Sequence, residues 1–384
     1  MGKKKLIYVL VLLAWAEILS FVALSLVSKK YPLLVYKVGS YDTKKVENNL
    51  DDELGWGSEN VQVSSLKAPG CRLLLFGDSF VEADTYKEIL VNGQLFSPEN
   101  YLARVTGCHV LNYGVGGYGS DQAYLKFRKL LEDGKISKND YVYVGHLSEN
   151  VLRNVNRNRS LLYPVPGDST PLLKPVFESC EPECEVVPLP SLLQELDLRL
   201  ISSGGVSPKV AAGESGQFIP NRLLFGSPVT IGFPNVFSLL RVPFVWHVFP
   251  RLIGLERHDQ FYGEGERGYE VTKNILAKFH ADCEKKGCHV ITSDVPVAGD
   301  FAQYYRKGRY STQRLNNELA QLGLRHYSLT EQLIQANPDL QKNTCLLHDG
   351  SSDGGDLCNA HFNQAGYKQF FDFIAGHVNR LQLR

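Results

Sequence analysis

The sequence predicts an α/β fold built on a parallel sheet and preceded by one membrane-spanning helix. Three observations carry that reading. Four short apolar runs each end in a polar or glycine-rich turn, helical stretches separate them, and an unbroken apolar segment opens the chain. Short continuous apolar runs alternating with amphipathic stretches are the pattern of buried parallel strands joined by helices.

The opening segment, Leu6–Val27, follows Lys3, Lys4 and Lys5 and is closed by Lys29 and Lys30. At helical rise it spans about 33 Å, enough to cross the hydrocarbon of a bilayer. Apolar cores of cleaved signals are shorter, about 7–15 residues. Residues 1–30 are therefore expected to be a cytoplasmic tip and an uncleaved signal-anchor; cleavage near Ala23-Leu24-Ser25 is the competing reading. The lysine triplet stays cytoplasmic by the positive-inside tendency. No later stretch reads as a second span, so the bulk of the chain is expected outside the cytoplasm, whether periplasmic, extracellular or lumenal. Glu17 interrupts the span near its middle. A carboxyl in lipid is costly, so it points to a partner helix in the membrane, to a protonated state, or to a tilted, snorkelling span.

Charge and cysteine usage agree with export. The chain of 384 residues balances 41 Lys+Arg against 41 Asp+Glu, yet its first thirty residues carry +4 and the rest −4. Without a basic excess, nucleic acid is excluded as a partner. Hydrophobic content of 43% and charged content of 21% fit a folded chain rather than a disordered one. The eight cysteines, an even number, read as disulfides of an oxidising compartment. They include no Cys-x-x-Cys pair and no histidine at zinc-finger spacing, so no metal site is expected. Asn158-Arg159-Ser160 is a glycosylation triplet that carries no weight alone.

After a polar stretch, 31–68, read as a stalk and domain edge, the domain 69–384 begins. Arg72–Phe76 ends in Gly77-Asp78-Ser79, and His109–Asn112 ends in Tyr113-Gly114-Val115-Gly116-Gly117. Tyr141–Val144 ends in a turn closing on Ser148-Glu149-Asn150, and His289–Thr292 ends in Ser293-Asp294. Helices are expected at about 97–106, 121–133, 268–286, 312–322 and 364–381. The stretch 155–265 breaks this rhythm and reads as an insertion. Its apolar part, 235–254, holds Pro243 and Pro250, which make a poor spanning helix. A buried helix or a lid is expected there, with a membrane-lying surface as the alternative.

Residues just past parallel strands converge on one edge of a sheet. Ser79 is set there as a nucleophile with its own N–H at a helix start, Gly117 brings a backbone N–H without a side chain, and Asn150 brings an amide donor. His361, in Asn359-Ala360-His361-Phe362-Asn363, precedes the last helix, where it can take a serine proton. Each alone is ordinary: a turn serine, a tight glycine turn, a helix cap, a packing histidine. Together, each at the end of its own strand, they form a set suited to acyl transfer.

FGDSF, NYGVGGYGSDQ, the stretch ending in Asn150 and AHFNQAGY, with Leu54-Gly55-Trp56 upstream, resemble the blocks of the SGNH (GDSL-like) hydrolases over roughly 52–155 and 266–384. The resemblance implies a flavodoxin-like three-layer α/β/α sandwich with no cofactor and no metal. It implies Ser79 as nucleophile, His361 as base, and an oxyanion hole of Ser79 N–H, Gly117 N–H and the Asn150 side chain. Two positions depart from the family pattern. Val151 stands where an Asp usually follows Asn150, with Asn154 a nearby substitute. Cys358 stands where the triad acid usually lies, three residues before the histidine. A thiol cannot hold an imidazole tautomer as a carboxylate does. Asp356 is the expected acid, then Asp353, then no acid at all. In this fold Cys71 and Cys108 begin neighbouring strands and are set to pair, and Cys345–Cys358 would brace the loop of His361. Cys180–Cys184 and Cys283–Cys288 are close in sequence.

The expected function is thus a membrane-anchored serine esterase or O-acyltransferase acting on acyl, especially acetyl, esters of surface polysaccharide or lipid. A catalytically silent exported module that binds glycan or protein is the alternative. A flavin site is disfavoured by Asp78 and Glu82 where phosphate would need donors.

Overall fold

The apolar runs meet in one sheet. The computed structural model describes residues 3–30, 35–36, 51, 53–57, 59–66, 70–83, 88–155, 159, 167, 172–180, 184–187, 229–231, 234–245, 259–349 and 361–383. Two units emerge: Met1–Trp56 with Val155–Glu178 and Val186–Arg257, and Gly57–Asn154 with Ser179–Glu185 and His258–Arg384.

The second unit contains strands β1 (Gln62–Val63), β2 (Arg72–Phe76), β3 (His109–Asn112), β4 (Tyr141–Leu147), β5 (His289–Val295) and β6 (His326–Ser328). They lie in the order β6-β5-β4-β2-β3-β1. All neighbours are parallel except β1, which runs antiparallel to β3 at the edge. This is the mixed α/β fold with a mostly parallel sheet that the runs predict. Leu73, Leu74, Leu75 and Phe76 are all buried, as are Val142, Tyr143 and Val144. Burial on both faces is why these strands read as unbroken apolar runs rather than alternating ones.

Helices Pro98–Thr106, Ser120–Glu132, Arg267–Lys286, Gln313–Gln321 and Gln364–Gln382 lie close to their expected ranges. The ends have local causes. Ser97 Oγ accepts the Asn100 N–H at 3.2 Å beside Pro98, and Gly107 and Gly287 close two helices in the left-handed region. Phe76 packs on Phe127 and Phe279, with ring centroids 5.7 and 6.3 Å apart, while Tyr143 packs on Phe370 at 5.8 Å.

β4 and β5 run three residues beyond expectation, pairing Gly145 with Ser293, His146 with Asp294 and Leu147 with Val295. These added residues are mostly glycine or polar, so the apolar signal stops before the pairing does. The buried Asp294 accepts from Thr312 Oγ1 at 2.9 Å and from Thr330 Oγ1, although burial still pushes its carboxyl above the ordinary range. Helices Ala298–Lys307 and Leu329–Ala336 and strand β6 are further elements the sequence reading missed.

Two expected disulfides are present, Cys71–Cys108, with Cα atoms 4.7 Å apart, and Cys283–Cys288 at 4.9 Å. Cys345 is also disulfide-bonded. Cys358, the Cys180 and Cys184 side chains and the Asn158 sequon lie outside the described residues.

In the first unit, Lys3–Lys30 is one continuous helix. It is long and apolar enough to cross a membrane, and with the disulfides it is compatible with a membrane anchor or signal in an oxidising, extracytoplasmic setting. The Asn235–Val245 helix packs on it, and Val35–Tyr36 pairs in parallel with Val229–Thr230. The expectation of a buried helix here fails: Phe237 is 67% and Leu240 62% exposed. Glu17 has hydrogen-bond donors within its own chain. Its carboxylate accepts from the Asn235 N–H at 2.5 Å and the Asn235 amide at 2.7 Å.

Candidate active site

Parallel strands deliver their carboxyl ends to one edge, which brings the turns after β2, β3 and β4 together. Ser79 opens the short helix Ser79–Glu82, and Asp78 caps it, Oδ1 accepting the Phe80 N–H at 2.9 Å. Asp78 is itself held: its Oδ2 receives Arg153 Nη1 at 3.3 Å. Arg153 also pairs with Glu149 and donates to the Tyr118 carbonyl at 2.7 Å. Asp78 and Arg153 are buried while Ser79 stays partly exposed, so Ser79 rests on an internal ion pair.

The glycine turn after β3 passes close behind this helix. A Cβ on Gly114 would stand 2.4 Å from the Glu82 backbone nitrogen, and one on Gly116 would stand 4.0 Å from Ser79 Cβ. Gly117 follows at φ +81°, in the left-handed region that favours glycine.

His361 Nε2 lies 2.7 Å from Ser79 Oγ, across a separation of 282 residues. A short antiparallel contact holds the histidine there. His348 bridges Phe362, the Asp349 N–H donates to the His361 carbonyl at 3.1 Å, and the Asn363 N–H donates to the Leu347 carbonyl at 2.9 Å. Asn363 then caps the last helix, its Oδ1 accepting the Gly366 N–H at 2.9 Å. The Phe80 ring packs 4.8 Å from the imidazole. Burial pushes the His361 pKa below its ordinary value and the Arg153 charge adds to that, while the Asp349 carboxylate opposes both. The imidazole is therefore neutral at pH 7, the form a general base needs.

Asn150 begins the helix Asn150–Arg153 and is buried. Its Nδ2 donates to Ser120 Oγ at 3.2 Å; Ser120 Oγ meets His146 Nδ1 at 3.0 Å, and His146 Nε2 meets Tyr262 OH at 3.1 Å. Tyr262 OH donates to the Ser148 carbonyl at 2.9 Å. A carbonyl only accepts, so the direction of the whole chain follows. Tyr262 accepts from His146 Nε2–H, His146 Nδ1 accepts from the Ser120 hydroxyl, and Ser120 accepts from the Asn150 amide. Burial pushes the His146 pKa down to about 3, which keeps that tautomer neutral. Asn154 is otherwise engaged: its Oδ1 accepts the Asp121 N–H at 3.2 Å and its Nδ2 donates to Thr272 at 2.7 Å.

Asp356 and Asp353, the expected acids, lie outside the described residues. Asp349 is a carboxylate the sequence reading missed, and its charge acts directly on His361. It stands twelve positions upstream and reaches the histidine's strand only through the His348–Phe362 bridge. The one signal in the sequence was a short apolar run, Leu346-Leu347, ending in His348-Asp349. Ser120, His146 and Tyr262 were likewise missed.

No protein-family model matches the chain, and no curated protein matches its sequence. The local chemistry is that of a hydroxyl in contact with a neutral imidazole. Among the described residues no group of three or more His, Cys, Asp or Glu side chains is gathered for a metal ion.

Proposed function

We propose that this protein is a membrane-anchored, extracytoplasmic serine esterase or O-acyltransferase. The contact of Ser79 Oγ with His361 Nε2 at 2.7 Å carries the reading. Ser79 Oγ attacks the ester carbonyl carbon as its proton passes to His361 Nε2. The tetrahedral intermediate collapses, the ester C–O bond breaks, and the departing alkoxide takes that proton. Water or a sugar hydroxyl then releases the acyl group by the same steps in reverse. Developing negative charge on the carbonyl oxygen calls for donors, and Ser79 N–H, Gly117 N–H and the Asn150 amide are the proposed set. Asp349 is the proposed carboxylate behind His361.

The strand order supports the flavodoxin-like reading: counted from β2, the parallel strands run 2-1-3-4-5. Phe76 and Tyr143 meet helices from different parts of the chain, which supports helical layers on both sheet faces. The apolar helix and the disulfides favour substrates at the outer membrane surface, acetylated polysaccharide or lipid.

Treatment with a fluorophosphonate and assay on a short-chain aryl acetate test the proposal. Labelling at Ser79 and turnover that both vanish in Ser79→Ala are expected, with a loss of about 10⁴-fold or more. No labelling and no turnover in the unaltered protein would leave the silent binding module standing instead. The pH profile gives a second check. Because His361 is held below its ordinary value, the acid limb of kcat/KM is expected below about pH 6.5. Asp349→Asn removes the group that raises this pKa, so the limb moves to still lower pH while kcat falls.

A further inference from the structure

The Asn235–Val245 helix has no part in the proposed chemistry, and its first turn rests on Glu17. That carboxylate accepts the Asn235 N–H at 2.5 Å, the Asn235 amide at 2.7 Å and the Val236 N–H at 3.2 Å. Glu17 stands at the centre of the Leu6–Val27 segment. In hydrocarbon a carboxylate needs donors, and a helix start has N–H groups without intrahelical partners. In water both would simply be hydrated. Each satisfies the other where water is absent.

Two further observations fix the depth. The N-terminal helix is exposed all round from Lys5 to Trp15, and covered residues begin at Ala16 and Glu17 and continue through Ser20, Ala23, Leu24 and Val27. This stripe recurs every three or four positions and is rich in small side chains, the surface through which helices approach each other in lipid. The covering helix has 11 residues, a rise of about 16 Å, half the hydrocarbon thickness. From Glu17 to Val27 the N-terminal helix rises by about the same amount. Asn235–Leu240 contains no charged residue, and Phe237 and Leu240 are exposed, as are Ile18, Phe21 and Val22 of the neighbouring helix. Arg241 comes six positions after Asn235, about 9 Å further along the helix.

We propose that Asn235–Val245 is a re-entrant helix lying in the bilayer beside the outer half of the N-terminal span, with Phe237 and Leu240 against acyl chains and Glu17 as its internal cap. The inference rests on the N-terminal helix being retained in the membrane.

No described cysteine is free, so a cysteine introduced into the oxidised full chain can be spin-labelled selectively. Phe237→Cys, Leu240→Cys, Leu13→Cys and Leu322→Cys are reconstituted singly in phosphatidylcholine vesicles. Nitroxide relaxation is then compared for oxygen, which concentrates in lipid, and for a water-soluble nickel chelate. Oxygen-dominated relaxation at 237 and 240, as at 13, with nickel-dominated relaxation at 322, is the expected result; either of the two helix positions suffices if the other variant fails to fold. Nickel dominance at 237 and 240 beside an oxygen-dominated position 13 overturns the proposal alone. Nickel dominance at 13 removes the anchor reading and this one with it. Adding Glu17→Ala to the Leu240→Cys protein is expected to raise nickel access roughly fivefold, the effect of losing a helix cap, and unchanged access overturns the role given to Glu17.

Discussion

Two carboxylates in this molecule each receive the start of a helix, and they are compensated in opposite ways. Asp78 caps Ser79–Glu82 while an arginine neutralises it from behind. Glu17 receives the start of Asn235–Val245, and its described hydrogen bonds come from two backbone N–H groups and an amide. The difference follows from what each helix is for. The proposed nucleophile needs its turn held in one position, and a buried ion pair anchored to Tyr118 does that at the cost of desolvating both charges. An apolar helix needs only its first donors satisfied.

Breaking the ion pair is the severest test of this contrast. Arg153→Met leaves Asp78 and Glu149 without their shared cation and is expected to lower stability by about 3–5 kcal/mol. Adding Asp78→Asn should restore much of the loss in thermal unfolding of the oxidised protein. If Arg153→Met unfolds like the unaltered chain, the ion pair is not what holds Ser79. A smaller effect sharpens the comparison by asking what uncharged links achieve beside the same serine. Ser120→Ala cuts the chain of donors behind the Asn150 amide and is expected to reduce kcat roughly 10²-fold with KM little changed. A rise in KM with kcat unchanged would assign Ser120 to substrate binding instead. The smallest change belongs to the amide-compensated carboxylate. Glu17→Gln keeps an acceptor on the helix start, so turnover on a soluble aryl acetate should not change, and its melting shift should fall well below that of Arg153→Met.

The parts of the fold legible in the sequence are those with one local cause. Leu73–Phe76 and Tyr141–Val144 are buried on both faces and therefore read as strands without help. Ser79, Gly117, Asn150 and His361 stand out in the sequence because each follows a strand or precedes a helix. Residues whose role depends on distant pairing were not legible. His146 and Asp294 sit in strands that look finished three residues earlier, because their polar side chains are satisfied by Ser120, Tyr262, Thr312 and Thr330 from elsewhere in the chain. Asp349 acts on His361 only after residues 348 and 362 pair. Glu17 announced an unmet need, but the residue that meets it lies 218 positions away.

The Cys71–Cys108 bridge ties together the residues that begin β2 and β3, at the sheet end opposite Ser79. The last helix finishes there too, with Gln382 donating to the Thr106 carbonyl at 3.1 Å and lying 3.2 Å from Cys108 Sγ. For anyone attaching a fluorescent reporter, Leu383 is therefore a favourable handle, because it is exposed at the cross-linked end of the sheet, away from Ser79.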